Sequence, residues 1–395
     1  MKILHAFPFF SIKFAGGTSD LMYKLVKAQK KVGLNPVISC GDYRYDEVLA
    51  ETAKGVSFSV EKSWFDRAGF SIMFNLSSRL EKELIEIDIV HMHVFRTFQN
   101  VILYKFCVKY NIPYVIDAHG AVPYAKNKRL LKWFFDFLIG RKMLREASYV
   151  IAETEVGVKE YLAVEPSIRL SRLKILSPPF DVDEFKELPV TGNFRKTIGL
   201  NSTDPIICFL GRLHYIKGND FLIRGFVELL HKEPNAKLVF VGGDDGHEQK
   251  LRSLVGSLKI TQNVVFAGFM SGHQKNEALI DSSIVAQMSR KEAGAWAPFE
   301  AVLCGTPIIV TEHTGSGLDV KNIDAGETVE LDNVESLGEK LFEILNNYDL
   351  AKSRTLKAKE YIEEHLSFNG RIHEYTDLYT AAQNAVNYTK TSGVI

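Results

Sequence analysis

Short apolar runs separated by stretches of helical period set the plan of this chain. Lys2–Phe7 begins the series as a buried strand. A loop with Gly16 and Gly17 follows, then Thr18 or Ser19 as a helix cap, with Leu21, Leu25, Ala28 and Val32 at helical spacing. Val37–Ser39, Ile87–His93, Pro113–Ala118, Ser148–Thr154 and Leu173–Ser177 predict further strands, and Phe98–Tyr110 a helix. A second series contains Ile206–Leu210, Lys237–Gly243, Asn263–Gly268, Ser283–Ser289 and Ile308–Val310. It alternates with helices over Phe221–His231, Glu248–Leu258 and Lys275–Ile280, and a short one starting near Ala295–Trp296. Val334–Tyr388 is helical, broken at His365–Arg371 by a cap, Ser367, and by Gly370. Strands alternating with helices give an α/β fold with parallel sheets covered on both faces.

The two series meet at "SPPFDVDEF" (Ser177–Phe185), which has no helical or strand period. A chain of 395 residues exceeds one hydrophobic core, so two domains are expected, 1–183 and 184–372. Lysine plus arginine equals aspartate plus glutamate, at 48 each, which removes any global field for nucleic acid. Cys40, Cys107, Cys208 and Cys304 form no CxxC pair and read as reduced, buried thiols of a cytoplasmic protein. The opening "MKILHAFPFF" reads as a first strand rather than a signal peptide. No apolar run approaches ~18 residues, so no spanning helix is expected. Residues 124–147 differ from the rest, interleaving seven lysines and arginines with Leu130, Leu131, Trp133, Phe134, Phe135, Phe137, Leu138 and Ile139. Asp136 and Glu146 are the acids there. Two readings stay open: a peripheral helix on an anionic membrane surface at the inner face, or a helix packing its aromatic face on the sheet.

Candidate chemistry collects where strands end, because parallel sheets bind ligands beyond their carboxyl ends. His119 follows the strand "VIDA"; His91 and His93 end another and read as structural groups. After Ile206–Leu210 comes "GRLHYIKGND", in which Arg212 and Lys217 flank a short loop before a helix, an arrangement that suits a diphosphate. The stretch Arg290–Val310 carries Glu292 before a helix start and Glu300 about one turn inside it. Helix-start N–H groups favour an anion, and the carboxylates can accept hydrogen bonds from sugar hydroxyls. "TEHTGSGLDV" (Thr311–Val320) reads as a glycine loop near the same end.

With "FLGRLHYIKG", "VFVGG", "VVFAGF", the Glu292–Glu300 pair and "AVLCGTPIIV", nearly the whole chain resembles the retaining glycosyltransferases of family 4. The resemblance implies the GT-B fold, two facing Rossmann-like domains with a C-terminal helix, 373–395, crossing back to the first. It implies transfer of a hexose-type sugar from a nucleoside-diphosphate sugar to a glycan or lipid-linked acceptor, with no cofactor and no metal. Arg212 and Lys217 would hold the diphosphate, Glu300 the ribose and Glu292 the transferred sugar. Gly17 would offer its N–H to the distal phosphate, and His119 would line the acceptor side. Gly16, Gly211, Gly268, Ala293 and Gly294 are counted with the donor-binding residues. The chain departs from the family pattern at Ala293-Gly294-Ala295, where Pro-Phe-Gly is usual, at Pro178-Pro179 and at Asp319. Short hinges near Pro178–Asp183 and His365–Gly370 would let the domains close. The rivals are a GT-B epimerase of sugar nucleotides and a degenerate binding protein without turnover.

Overall fold

The computed structural model describes residues 1–11, 17–43, 45–53, 55–63, 65–67, 70–72, 78–123, 129–292, 294 and 296–391. The chain divides into two compact units, Met1–Pro179 with Phe368–Ile395, and Phe180–Ser367. The sequence boundaries stood at 183/184 and 372/373.

The first unit contains β1 (Lys2–Ala6), β2 (Asn35–Gly41), β3 (Ser57–Glu61), a hairpin of β4 (Phe65–Arg67) and β5 (Phe70–Ile72), and then β6 (Ile89–His93), β7 (Tyr114–Asp117), β8 (Tyr149–Ala152) and β9 (Leu173–Ile175). Seven of these form one sheet in the order β3-β2-β1-β6-β7-β8-β9, every pair parallel. The order reverses between β1 and β6, and a parallel sheet opens a crevice at such a point, beyond its carboxyl ends. Register places His5 of β1 beside His91 of β6, and His93 beside Asp117 of β7. The final helix, Phe368–Thr391, belongs to this unit. Its Tyr379 hydroxyl is bonded to His91 Nδ1 at 2.8 Å and accepts from Gln29 Nε2 at 3.3 Å.

The basic aromatic segment is not one regular helix. Arg129–Phe135 is α-helical, Asp136–Gly140 is a π-turn and Arg141–Glu146 is α-helical again. A π-turn wedges one extra residue into the helix and re-aims its side chains. Here it turns Asp136 inward, fully buried, onto Arg96. Leu130, Leu131, Trp133, Phe134, Phe137 and Leu138 are exposed, Leu130 by 82% and Phe137 by 64%. The aromatic face is therefore only partly spent on the sheet, where Phe135 and Ile139 pack against the core. Tyr124 and residues 125–128 lie outside the described residues.

The second unit repeats the plan with β10 (Ile206–Leu210), β11 (Lys237–Val241), β12 (Val264–Gly268), β13 (Ile284–Gln287), β14 (Ile308–Thr311) and β15 (Glu327–Val329), ordered β12-β11-β10-β13-β14-β15. Alternate residues of β10 feed two apolar layers. Ile206, Cys208 and Leu210 join one, and Ile207 and Phe209 the other, as the period of two in a strand requires. The glycine loop expected over Thr311–Val320 is largely a helix, Gly315–Asn322, capped by Thr314. Gly317 serves close packing rather than loop freedom, since a Cβ there would overlap the Thr311 and Glu312 carbonyl oxygens. All four cysteines are free and buried. Among the described residues no helix is long and apolar enough to cross a membrane.

Candidate active site

In the second unit the carboxyl end of β10 runs into Gly211, at φ 150°, and a loop held against the end of β11. Leu213 N donates to Gly243 O at 2.9 Å, and Asp245 N to Leu213 O at 3.1 Å. The chain can pass this tightly only because Gly242 and Gly218 lack side chains. A Cβ on Gly242 would overlap Gly211 O, and one on Gly218 would overlap Met288 O. The 3₁₀ turn Tyr215–Lys217 follows, capped by His214 Nδ1, which accepts from Ile216 N at 3.1 Å.

This turn delivers Lys217 to Glu292, the two side chains only 18% and 16% exposed. Glu292 also accepts from Ser289 Oγ at 3.1 Å, and its backbone carbonyl accepts from Gly315 N at 2.9 Å. Lys217 and Glu292, 75 positions apart, are thus one pair across the ends of β10 and β13. Arg290 locks the same two loops together. Its guanidinium grips both Asp220 oxygens at 2.7 Å and lies over the Tyr215 ring, while the Arg290 backbone N–H donates to Ile216 O at 2.8 Å. Burial opposes the charge on Asp220, but the guanidinium outweighs it and holds the carboxyl below its usual range.

Glu300 lies in the first turn of the helix Ala297–Leu303 and accepts from Lys275 Nζ at 2.6 Å. Arg212 is 70% exposed and paired with Asp245. Gly268 ends β12 at φ 77° and accepts from Gly242 N at 2.8 Å. Sequence reasoning missed Lys275, Asp245, Ser289 and the Arg290–Asp220 clamp. Of these, only Arg290 carried a sequence signal, lying two residues before Glu292. Gly294 is described in the loop after Glu292; Ala293 and Gly16 lie outside the described residues.

In the first unit, Gly17 opens the helix Gly17–Lys31. His119 stands just past β7 in the left-handed region, at φ 47°. Both its ring nitrogens are engaged: Nδ1 lies 3.3 Å from Glu153 Oε1 and from Asp117 Oδ1, and Nε2 lies 2.9 Å from His93 Nδ1. Burial disfavours a charge on this ring, but the two carboxylates outweigh it and raise its pKa. Burial also pushes Asp117 up to about 6, against the pull of His119. His91 and His93, read from sequence as structural groups, are fully buried and belong to the same network.

Residues 190–361 match the family model "Glycosyl transferases group 1", and residues 15–184 match "Glycosyltransferase Family 4". An uncharacterized glycosyltransferase of Methanocaldococcus jannaschii is 30% identical over 190 residues, 48% of either chain. The D-inositol 3-phosphate glycosyltransferase of Rhodococcus erythropolis is 24% identical over 266 residues, 64% of this chain and 58% of that one. The matches thus span about half the length of these relatives. Among solved structures, Anabaena HepE in complex with UDP and glucose superposes with a TM-score of 0.78 at 16% identity, covering 96% of this chain and all of that one.

Proposed function

Because the chain belongs to the GT-B glycosyltransferases of family 4, we propose that it transfers a hexose-type sugar from a nucleoside-diphosphate sugar to a glycan or lipid-linked acceptor, as in cell-surface polysaccharide or glycoconjugate synthesis. The pairing of Lys217 with Glu292 carries this reading. A partly buried cation beside a carboxylate at a strand's carboxyl end offers two functions side by side. The ammonium takes up the charge that grows on a departing diphosphate, and the carboxylate accepts hydrogen bonds from the sugar being moved. Arg212, at the rim, meets the diphosphate from solvent. Glu300 holds the ribose with the oxygen that Lys275 does not occupy. Lys217, Arg212 and neighbouring N–H groups supply the positive charge, so the reaction proceeds without a metal. The leaving phosphate takes the acceptor's proton on the same face, which retains the anomeric configuration.

A thermal-shift screen tests the donor assignment. HepE was crystallised with UDP and glucose, so uridine diphosphate and its hexose conjugates are expected to score, with guanosine and adenosine conjugates as comparators. A ligand at ~100 times its dissociation constant adds roughly 2.7 kcal/mol of stability. No shift with any nucleoside diphosphate would overturn the reading.

The exposed strip of Leu130, Trp133, Phe134, Phe137 and Leu138, flanked by exposed Arg129, Arg141 and Lys142, supports a second element of the proposal. The protein acts at the cytoplasmic face of an anionic bilayer, where a lipid-linked acceptor is presented. Each basic residue brought to such a surface adds roughly 1 kcal/mol. Co-sedimentation with anionic vesicles is expected at low salt and lost at high salt. Equal pelleting with neutral vesicles, or none at all, would refute it.

A further inference from the structure

Histidines of β1 and β6 and the one just past β7 form a continuous chain in the first unit. Glu153 Oε1 and Asp117 Oδ1 face His119 Nδ1 at 3.3 Å. His119 Nε2 meets His93 Nδ1 at 2.9 Å, His93 Nε2 meets His5 Nδ1 at 2.9 Å, and His5 Nε2 meets Gln29 Oε1 at 2.8 Å. Gln29 is held in this orientation by its amide nitrogen, which donates to the Tyr379 hydroxyl at 3.3 Å.

Counting hydrogens along this chain gives an uneven sum. Each of the four contacts needs one hydrogen between its two heavy atoms. Ionised carboxylates supply none and the Gln29 oxygen supplies none, while three neutral imidazoles supply three. One proton more than the neutral rings contain is required.

We propose that His5, His93 and His119 form a proton relay, anchored by the Gln29 carbonyl oxygen, that carries one excess proton and holds it on His119 between Asp117 and Glu153. His5, His93 and Gln29 are then positioning residues for His119. The proposal deepens the reading in which His119 lines the acceptor side, and rests on it for what the relay serves. In the loaded state His119 is an imidazolium, and His93 and His5 carry their hydrogens on Nε2. A hop inward breaks the His119 Nε2–H bond and forms His93 Nδ1–H. The His93 Nε2 proton passes to His5 Nδ1, and the charge then sits on His5.

The surroundings decide where the proton rests. At the outer end two buried carboxylates, each 3.3 Å from His119 Nδ1, attract the proton. At the inner end no acid faces the rings among the described residues. From β6, His91 bonds to Tyr379 through Nδ1, and its buried Nε2 meets no partner among the described residues. Beside β7 the Tyr161 hydroxyl accepts from Ala118 N. The final helix adds Tyr375 and Tyr379, whose phenols burial pushes up and keeps neutral, and Arg371, which Glu374 pairs. In keeping with this, burial lowers His5 to about 4, against the pull of Gln29, and lowers His91 and His93 well below the usual range, whereas His119 is raised.

Nitrogen-detected spectra of the full-length, unligated chain with ¹⁵N-labelled histidine test the relay at pH 7. Expected are both nitrogens of His119 protonated, and His93 and His5 neutral with hydrogen on Nε2. Gln29→Met removes the terminal acceptor at nearly constant volume. His119 should then be neutral, with His5 and His93 both switched to the Nδ1–H form, a change relayed over three rings that repacking alone would not produce. A neutral His119 in the unsubstituted protein, Nδ1–H forms of His5 and His93 there, or unchanged tautomers in folded Gln29→Met would each overturn the relay. Should Gln29→Met fail to fold, the unsubstituted spectra decide alone. No sugar nucleotide enters this experiment, so a failed relay leaves the donor reading standing, and a chain that binds no donor leaves these spectra unchanged.

Discussion

Replacing Lys217 by alanine is expected to lower kcat/KM for the preferred sugar nucleotide about ten- to a hundredfold, with the fold intact. A charged hydrogen bond in such a site contributes roughly 1.5–3 kcal/mol, and each 1.4 kcal/mol is about a factor of ten. The effect should lie at the upper end, because the substitution does more than remove a cation. Among the described residues it leaves Glu292 with Ser289 Oγ as its remaining side-chain donor, so a carboxylate without its cation would face the incoming diphosphate. Combining Lys217→Ala with Glu292→Gln should therefore restore part of the lost donor affinity while turnover stays low. The two substitutions would not add, as expected for residues in direct contact. Arg212→Ala should cost less, since that side chain is 70% exposed and already shared with Asp245. Steady-state kinetics on the three variants, with circular dichroism to confirm folding, provide the check. Unchanged kinetics in Lys217→Ala would remove the diphosphate role from this lysine.

The strands were legible because a parallel strand buried on both faces is apolar throughout. Ile206–Leu210 has no polar residue and every position is buried. Glu300 was placed about one turn inside its helix by the helix start read near Ala295–Trp296, and it lies in the first turn of Ala297–Leu303. What sequence could not supply is pairing across strand order. His5 meets His93 over 88 positions only because β1 lies beside β6 rather than at an edge. Lys275 meets Glu300 between two helices, Gly272–Ile280 and Ala297–Leu303, and Arg212 meets Asp245 across the loops that follow β10 and β11. Each partner looks like an ordinary surface charge until the order is known. Gly315 and Gly317 misled in a different way. Glycines signal loops through backbone freedom, but Gly317 is there because the helix start lies against the Thr311 and Glu312 carbonyl oxygens.

Asp136 was equally opaque in sequence, one of two acids in a basic segment, and its removal should produce the largest loss of stability. Its side chain is 0% exposed and that of Arg96 is 9% exposed. Arg96 Nε and Nη2 donate to the two carboxylate oxygens at 2.9 and 2.7 Å, and Nη1 donates to the carbonyls of Ala121 and Val122 at 2.9 Å each. The pair ties the loops after β6 and β7 to the π-turn, which carries Phe137 and Leu138 of the exposed strip and follows the helix that carries the rest. Asp136→Ala would strand a guanidinium in a site nearly closed to water. Breaking a buried pair from one side typically costs about 3–5 kcal/mol. Replacing both partners, Arg96→Leu with Asp136→Leu, should cost much less, because no charge is then left unpaired. Gly140 belongs to the same device, since a Cβ there would lie 2.6 Å from Asp136 Oδ1 and 3.1 Å from the Phe95 and Phe135 rings. Urea denaturation followed by circular dichroism measures the loss, and amide hydrogen exchange over residues 135–146 shows whether it is local. A loss below about 1 kcal/mol in Asp136→Ala, the range of an exposed pair, would show that packing of Phe135 and Ile139 alone fixes the segment. The aromatic strip would then keep its orientation, and vesicle binding would survive the substitution. If the ion pair sets the π-turn, vesicle binding should weaken with the lost stability, because Trp133, Phe134 and Phe137 would no longer be held on one face.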